Sequence, residues 1–384
     1  MSVILIPTFV EDVHAYAVAI VLEQTGHRPL LWHCSDMPER GAASVLLGGG
    51  QPLCMSLHGA EIDASLSDVD VFWYRRVGTP VVTTDLLPCD REIAVHENER
   101  FVRSLLSALS RDRFAVNAFQ RARCAEDKVL QLESAQRLGF ELPTTLISSD
   151  PASIRRFVAT HEGEGAVVKN FSPMGWQGNG KISVNFTARI DSARLPRDGI
   201  LRLTPSIYQC NVPKAYEVRV TCMGAEQVAA ALHSQHQEQS RTDWRTVMPD
   251  TLNIERIDIP PAVAWRCAAF MRELDLRFGC FDFIVTPDGR WVFLEMNQMG
   301  QFLWVEEANG ELPLLQMFCD FLVSRDPAFR YTRRRGATGY AAVVAEACER
   351  LVVATRTHLY PDLPPNVYVE PGGLSHSVPM FAEA

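Results

Sequence analysis

The sequence has no long hydrophobic run, no closely paired cysteines and no excess of positive charge. No apolar stretch reaches the roughly 18 to 20 residues of a membrane-spanning helix, and residues 1–7 lack the basic region of a signal peptide. The ten cysteines are scattered without a Cys-x-x-Cys pair, which favours reduced thiols over a disulfide framework or a zinc cluster. A net charge of −9 argues against a general nucleic-acid binder. These absences predict a cytoplasmic protein without a nucleic-acid or membrane partner.

The overall composition is that of a folded globular protein. The chain has 384 residues, of which 47% are hydrophobic and 22% are charged. Such a balance excludes a disordered chain. The length exceeds that of one ordinary hydrophobic core and predicts two or three domains.

Lysine is scarce and is confined to one part of the chain. Of the 37 basic residues four are lysines, and they lie between residues 128 and 214: Lys128, Lys169, Lys181 and Lys214. An ammonium group is a compact point charge that suits phosphate oxygens. The clustering therefore indicates phosphate binding, and codon bias with chance clustering is the alternative explanation.

The first 120 residues alternate between strand-like and helix-like segments, which is typical of a small α/β unit. Apolar runs predict strands, amphipathic stretches predict helices, and three consecutive glycines predict a hairpin turn. The expected elements are strands 3–8, 28–34 and 69–76, a hairpin over 44–57, and helices 13–24 and 90–109. No Gly-x-Gly-x-x-Gly follows the first strand, so the dinucleotide-binding fingerprint is absent.

From residue 117 onward the pattern changes to shorter helices and antiparallel strands. Asp150-Pro151 is typical of a helix start, and Pro287-Asp288-Gly289 predicts a hairpin turn. The expected helices cover 124–138, 261–274, 311–323 and 338–359. The expected strands cover 142–147, 166–169, 182–186, 279–286 and 290–297, with a nine-residue loop over 172–180.

The last hairpin carries the strongest candidate site. Residues i and i+2 of a strand share a face, so Glu295 and Asn297 are expected to point the same way, and the turn brings Asp282 beside them. Two carboxylates and a carboxamide are hard oxygen donors that suit Mg²⁺. The alternative is the solvated face of an ordinary hairpin. Strongly apolar flanking residues argue against that alternative, because buried carboxylates need a cation or a partner.

Two further segments are candidates for nucleotide binding. Lys169 ends a predicted strand and precedes a loop that contains Gly175, Gly178 and Gly180. Glycines let backbone N–H groups approach phosphates, but the spacing is not that of a Walker loop, and a plain hairpin tip fits equally well. The segment 208–214 reads as a strand that runs into an extended connector, whose backbone suits either an adenine edge or an ordinary strand end.

Two arginines are candidates for neutralising charge on a transferring phosphoryl group. Arg219 shares a strand face with Glu217, and Arg245 lies in a polar loop. Surface arginines are common in this chain, so a solvated position is the alternative for each. His233-x-x-His236 lacks an acidic partner at zinc-enzyme spacing and reads as a polar strand end.

These segments occur in the order found in the ATP-grasp superfamily of carboxylate–amine ligases. Longer strings resemble the branch that macrocyclises ribosomal peptides, the microviridin-type or graspetide ligases, over about residues 1 to 325. The strings are Phe72-Trp73-Tyr74-Arg75-Arg76, Tyr208-Gln209-x-x-Val212-Pro213-Lys214-x-x-Glu217-x-Arg219-Val220, Asp243-Trp244-Arg245, and Phe293-Leu294-Glu295-Met296-Asn297-Gln298-x-Gly300-Gln301-Phe302-Leu303-Trp304.

The resemblance implies an α/β protein in which a small pre-ATP-grasp domain precedes a two-subdomain ATP-grasp fold, with antiparallel sheets on both sides of ATP. The implied boundaries are 1–120 for the first domain, 121–205 for the central subdomain with the glycine-rich loop, 206–325 for the subdomain with the metal site, and 326–384 for a helical extension and tail. It implies ATP and Mg²⁺ as cofactors and a ribosomal precursor peptide, with a leader and an acidic core, as partner. The resemblance leaves open whether the chain forms a homodimer.

The resemblance also implies a role for each candidate residue. Lys128 and Lys169 would bind phosphates; Gln209, the backbone of Cys210 to Val212, and Lys214 would hold adenosine. Asp282, Glu295 and Asn297 would hold Mg²⁺, and Arg219 and Arg245 would stabilise the transferring phosphoryl group. In the implied reaction a substrate carboxylate attacks the γ-phosphate of ATP, and a hydroxyl or an amine then captures the acyl phosphate as an ester or an amide.

Two departures from the family pattern stand out. Cys210 occupies the position where relatives have a glutamate that accepts from the adenine amino group. The chain after Arg325 exceeds the usual length, and its run Arg333-Arg334-Arg335 suits either an acidic peptide or a solvated basic end. Two other functions stay open: a ligase for free amino acids or small metabolites, and a non-catalytic peptide-binding protein.

Overall fold

The computed structural model describes residues 1–59, 61–83, 85–171, 175–178, 181–184, 186–333 and 336–359. Gly180, Arg334 and Arg335, named above, lie outside these residues. Within them the chain forms eighteen strands in five sheets and ten α-helices. No described helix combines the length and the apolarity that crossing a membrane requires.

The N-terminal sheet is parallel and has the order β2-β1-β6-β7. Its strands are β1 (Val3–Thr8), β2 (Arg28–His33), β6 (Val71–Trp73) and β7 (Phe114–Val116). β1 is buried along its whole length, as expected of a strand covered on both faces. Helix α1 (Val13–Gln24) packs on it, and Gly26, at φ 79°, provides the left-handed turn after the helix. The predicted strand 69–76 is wrong in length, since only three of its residues pair.

A small antiparallel sheet follows β2. It contains β3 (Gly41–Gly48), β4 (Gln51–Gly59) and β5 (Asp63–Ser65), and its hairpin turn is the predicted run of glycines, which all have positive φ. Leu46 and Leu47 are exposed on this hairpin, while Met55 and Leu57 face the core.

The central sheet is antiparallel, with the order β12-β9-β13-β8. Its strands are β8 (Thr145–Ser148), β9 (Ala166–Lys169), β12 (Ala188–Ile190) and β13 (Ser206–Cys210). The prediction of an uninterrupted loop over 172–180 is wrong, because β10 (Gly175–Gly178) pairs with β11 (Lys181–Val184) as a separate hairpin. Cross-strand pairing satisfies backbone groups that an open glycine loop would leave to solvent.

The five-stranded antiparallel sheet has the order β16-β15-β14-β17-β18 and carries the predicted last hairpin. The strands are β14 (Tyr216–Met223), β15 (Glu226–Leu232), β16 (Ile254–Ile257), β17 (Phe278–Val285) and β18 (Trp291–Asn297). Gly289, at φ 86°, makes the turn between the last two. One face packs on α7 (Pro261–Glu273) through a cluster of phenylalanines, Phe140, Phe270, Phe281, Phe283 and Phe293.

The remaining helices connect and cover these sheets. They are α2 (Pro88–Leu109), α3 (Phe119–Ala125), α4 (Lys128–Arg137), α5 (Pro151–Thr160), α6 (Asp198–Leu203), α8 (Leu303–Ala308), α9 (Leu314–Ser324) and α10 (Val344–Thr357). The prediction of one helix over 124–138 is wrong. The Asp127 carboxylate accepts hydrogen bonds from the amides of Val129 and Leu130 and so starts a new helix at Lys128.

One hydrophobic core joins the two ends of the chain. Ile6 and Val18 of the N-terminal unit belong to the same cluster as Phe278, Phe302 and Phe318 of the later sheet and helices. The predicted fold class, α/β with antiparallel sheets in the later part, is confirmed. The division of the chain into four domains stays a prediction.

Candidate active site

Asp282 and Glu295 are directly opposite each other on the last two strands. The register between β17 and β18 shifts after this pair, so that Phe283 pairs with Phe293 and Leu294 has no opposite residue. This bulge places the two carboxylates on one face while both phenylalanines stay in the core. Simple alternation would have put Phe293 on the same face as Glu295.

Glu295 is surrounded by positive charge. Its Oε2 accepts a 2.7 Å hydrogen bond from Lys128 Nζ at the start of α4. Burial alone would raise the pKa of Glu295, but the positive charges of Lys128, Arg245 and Lys169 lower it to about 2. The carboxylate is therefore ionised at every physiological pH, as a metal ligand must be.

Asp282 is held by Arg219 on the neighbouring strand. Arg219 Nη1 lies 2.8 and 2.6 Å from the two carboxylate oxygens, and its Nη2 donates to the Gln301 carbonyl at 3.0 Å. Burial and the Glu295 charge raise the pKa of Asp282, against the effect of Arg219. Arg219 Nε is buried without a partner among the described residues, which leaves a donor on this face.

Arg245 is oriented by Asp243. The guanidinium makes two hydrogen bonds to this carboxylate, Nε–Oδ1 at 2.9 Å and Nη2–Oδ2 at 2.6 Å. Asp243 is buried and also accepts from the Thr187 amide at 3.0 Å. Although burial would raise the pKa of Asp243, Arg245 and the backbone donors lower it, so Asp243 stays charged. The pair therefore presents a fixed cation whose charge acts on both Glu295 and Asp282.

The other two candidate lysines differ in their contacts. Lys169 is half-buried at the end of β9, and its Nζ has no hydrogen bond or ion pair with a described residue; burial lowers the pKa of Lys169, and the Glu295 charge opposes that change. Lys214 Nζ is bound to Glu217 at 3.0 Å and to the Thr242 carbonyl at 2.8 Å. Lys169 is thus open to an anion, whereas Lys214 holds the loop that precedes Asp243.

The predicted adenosine-binding segment lies at the edge of the central sheet. Gln209 is buried, and its Nε2 donates to Thr145 Oγ1 at 3.0 Å. The Cys210 amide is already bound to the Thr144 carbonyl at 3.0 Å. In the described part of the chain the Val212 amide has no backbone partner, so it is a donor that this connector leaves for a ligand.

Asn297 follows Glu295 on the same strand but is engaged locally. Its Oδ1 accepts from the amides of Met299 at 3.2 Å and Gly300 at 2.9 Å. Gly300 has φ 51°, and a Cβ there would lie 2.7 Å from the Phe278 ring, so only glycine fits this turn. A role for Asn297 as metal ligand stays a prediction, and it requires the side chain to share these bonds.

Sequence reasoning missed two residues that support the site from behind. Arg75 is fully buried; it pairs with Asp12 at 2.7 Å and donates to the carbonyls of Met299 and Gly300. Gln131 on α4 bonds the backbone of Met296 in both directions, at 2.8 and 2.9 Å. The signal for Arg75 was present in the Trp-x-Arg-Arg string, to which no role had been assigned.

No family model and no curated protein matches the chain. Solved structures do match. A RiPP-associated ATP-grasp ligase from Chryseobacterium gregarium, in complex with ADP and a leader and core peptide, is 23% identical with a TM-score of 0.77, covering 86% of this chain and 100% of that one. The macrocyclase MdnC from Microcystis aeruginosa MRC, bound with precursor peptide MdnA, is 26% identical with a TM-score of 0.73, covering 84% and 100%.

A third solved structure also matches the chain. ATP-grasp ligase PsnB, complexed with a phosphomimetic variant of its minimal precursor, Mg and ADP, is 20% identical with a TM-score of 0.62, covering 85% of this chain and 98% of that one. The chain has the fold of the ATP-grasp ligases. Its resemblance to the microviridin-type branch is confirmed at the level of the structure.

Proposed function

We propose that this ATP-grasp ligase activates the Asp or Glu side chains of a ribosomal precursor peptide and joins them to side-chain hydroxyls or amines. A carboxylate oxygen of the peptide attacks the γ-phosphorus of ATP, the bond to the β–γ bridging oxygen breaks, and ADP leaves. The hydroxyl or amine then attacks the acyl carbon, the bond to the phosphate oxygen breaks, and inorganic phosphate and a proton are released. Each cycle removes one water from the peptide and leaves an ester or an amide.

The residues of the site fit Mg²⁺ and a polyphosphate. Asp282 and Glu295 offer carboxylate oxygens, the ligands that Mg²⁺ takes up together with phosphates, and Asn297 is the proposed third ligand. When bound, the ion supplies positive charge against the phosphate oxygens. Lys128 and Lys169 are proposed to bind phosphates, and Gln209, the Cys210 and Val212 backbone and Lys214 to hold adenosine.

The two arginines are proposed to stabilise the phosphoryl group as it moves. Arg219 and Arg245 are both fixed by carboxylates, so their charges are oriented before the substrate arrives. Such preorganised charge is worth more than mobile charge, because no reorganisation is needed during the reaction. The chain itself forms no covalent bond with the substrate in this scheme; it positions the reactants and neutralises charge.

The observation that carries the proposal is the combination of this charge arrangement with the fold. Four cationic side chains, Lys128, Lys169, Arg219 and Arg245, act on the two carboxylates, and the same fold is found in enzymes that were solved with precursor peptides. The peptide partner and a cytoplasmic location, where ATP is abundant, belong to this proposal. The ten cysteines are free, in keeping with a reducing compartment.

The experiment uses the full chain with ATP, Mg²⁺ and any short Ser/Thr/Asp/Glu-rich peptide that is found to be encoded near its gene. We expect peptide-dependent release of ADP and phosphate and, by mass spectrometry, the loss of one water for each cross-link. The matched control is the same peptide with Asp and Glu replaced by Asn and Gln, which should give neither. ADP release with free amino acids but not with the peptide would favour a small-molecule ligase, and binding of the peptide without ADP release would contradict catalysis.

A further inference from the structure

A second cluster of chemistry-bearing side chains lies away from the proposed active site. His33 ends β2, Glu61 lies in the turn between β4 and β5, and His358 follows the last helix, α10. One ligand atom from each lies within 4.8 Å of the others. The cluster therefore joins three segments that are distant in sequence, one of them from the C-terminal extension.

His33 is buried, and no described group nearby satisfies its polar ring atoms. It is 4% exposed, and neither ring nitrogen has a hydrogen-bond partner among the described residues. A buried polar group without a partner is costly, so such a group calls for an explanation. Burial and the neighbouring His358 lower the pKa of His33 to about 4. Its ring is therefore neutral at physiological pH and has a free lone pair.

His358 is already oriented as a ligand would be. Its Nδ1 lies 2.6 Å from Asp36 Oδ2, and Asp36 Oδ1 also accepts from the Leu359 amide at 2.8 Å. A carboxylate at one ring nitrogen fixes the tautomer and leaves the other nitrogen for a metal. That other nitrogen, Nε2, lies 3.0 Å from Glu61 Oε2. Two acceptor atoms at this distance need a proton or a cation to bridge them.

We propose that His33, Glu61 and His358 bind one Zn²⁺, with Asp36 as the residue that orients His358. Two imidazoles and one carboxylate match the preference of zinc for nitrogen and oxygen ligands, and the three side chains line one small cavity. The ion satisfies the orphaned His33 ring and replaces the proton between His358 and Glu61. It also ties the C-terminal extension to the N-terminal unit.

The matching structures are covered almost completely, yet they leave about 15% of this chain unmatched, a share about equal to the extension 326–384 that contributes His358. A zinc bound here would hold that extension in place. The proposal is independent of the ligase reaction and of its substrate.

The test is metal binding by the full-length protein. After treatment with EDTA and dialysis, the protein is titrated with Zn²⁺ in the presence of excess Mg²⁺ and ADP, which occupy the proposed active site. We expect one zinc per chain by elemental analysis. His358→Gln and Glu61→Gln should each weaken binding by about 100-fold, and Asp36→Asn by about 10-fold. Co²⁺ in place of Zn²⁺ should give visible absorption bands in the wild type and not in the His358→Gln or Glu61→Gln variants.

The matched control is His58→Gln. His58 lines the same cavity but is engaged with Asp63 and Ser56, so its loss should leave the zinc affinity unchanged. Because Glu61 is largely exposed, the Glu61→Gln variant should fold even if His33 or His358 variants do not. A wild-type protein that binds no zinc under these conditions, or a Glu61→Gln variant that binds it with unchanged affinity, would overturn the proposal.

Discussion

At the scale of single residues, the two carboxylates of the proposed metal site differ although they are cross-strand partners. The surrounding cations lower the pKa of Glu295 to about 2, whereas burial and the Glu295 charge raise that of Asp282. Glu295 interacts with Lys128, Arg245 and Lys169, while Asp282 is paired chiefly with Arg219. Environment rather than residue type decides which carboxylate is the more easily available ligand.

We expect Glu295→Gln to lower the rate of ADP formation by about 100-fold or more while the protein stays folded. Glutamine keeps the shape of the side chain but removes the charge that would bind Mg²⁺. The measurement is peptide-dependent ADP release at rising Mg²⁺ concentration, with circular dichroism as the check on folding. Glu255→Gln, an exposed glutamate of β16 in the same sheet, is the matched control and should keep the wild-type rate. A Glu295→Gln enzyme with wild-type turnover would remove the metal assignment.

Much of the site could be predicted from residue types, but the support behind it could not. The carboxylates Asp282 and Glu295 and the carboxamide Asn297 can be recognised in the sequence, since oxygen-bearing side chains are unusual among such apolar neighbours. Arg75 and Gln131 do not, because their partners are backbone groups far away in sequence. Which carbonyl or amide a buried side chain meets is decided by tertiary packing.

At the scale of secondary structure, the β-bulge at Leu294 decides whether the site forms. Strict alternation assigns Phe293 and Glu295 to the same face, and one of them would then be misplaced. The extra residue lets Phe293 pack on α7 while Glu295 meets Asp282. The hairpin was predictable from its Asp-Gly turn and apolar strands. The bulge was not, since it reflects competition between the two faces of the sheet.

The break between α3 and α4 has a similar origin and leads to a prediction. Asp127 caps α4, whose first residue is Lys128. Asp127→Ala should lower the free energy of unfolding by about 1 kcal/mol through loss of the cap. It should also raise the KM for ATP several-fold, because Lys128 is no longer held at a fixed helix start.

The control for this prediction is the equivalent cap of another helix. Asp150 caps α5 through the Ser153 amide, and neither residue contacts the proposed site. Asp150→Ala should lower the free energy of unfolding, measured with denaturant, by a similar amount. It should leave the KM for ATP unchanged. Equal effects of both variants on KM would mean that the Asp127 cap contributes only to stability.

At the scale of the whole molecule, the N-terminal unit and the proposed site are built as one body. Arg75 leaves β6, pairs with Asp12 and reaches the carbonyls that follow β18. From α1, His14 accepts hydrogen bonds from the amides of Phe302 and Leu303. The sequence predicted several domains but not that they share a core, because the contacts between them join residues almost 300 positions apart.

His14 makes this junction sensitive to pH. Burial and the charge of Arg75 lower its pKa from 6.5 to about 3, against the effect of Asp12, with smaller contributions from Arg76 and Arg219. Above about pH 6.5 the His14 ring is neutral in both the folded and the unfolded chain. Below about pH 6.5 the unfolded chain binds a proton at His14 that the folded chain does not bind. The free energy of unfolding therefore decreases as the pH is lowered. Lowering the pH from about 7.5 to about 5 should decrease the free energy of unfolding by about 2 kcal/mol through His14 alone.

The expected result is that His14→Gln flattens this dependence. The glutamine oxygen still accepts from the Phe302 and Leu303 amides but does not titrate, so the variant should lose about 2 kcal/mol less than the wild type over that range. The measurement is urea unfolding at several pH values. The exposed His96 provides the control, since His96→Gln should run parallel to the wild type. If the stability of His14→Gln depends on pH in the same way as that of the wild type, protonation of His14 does not affect this junction. Its stability then rests on the buried Arg75–Asp12 pair and the shared apolar core.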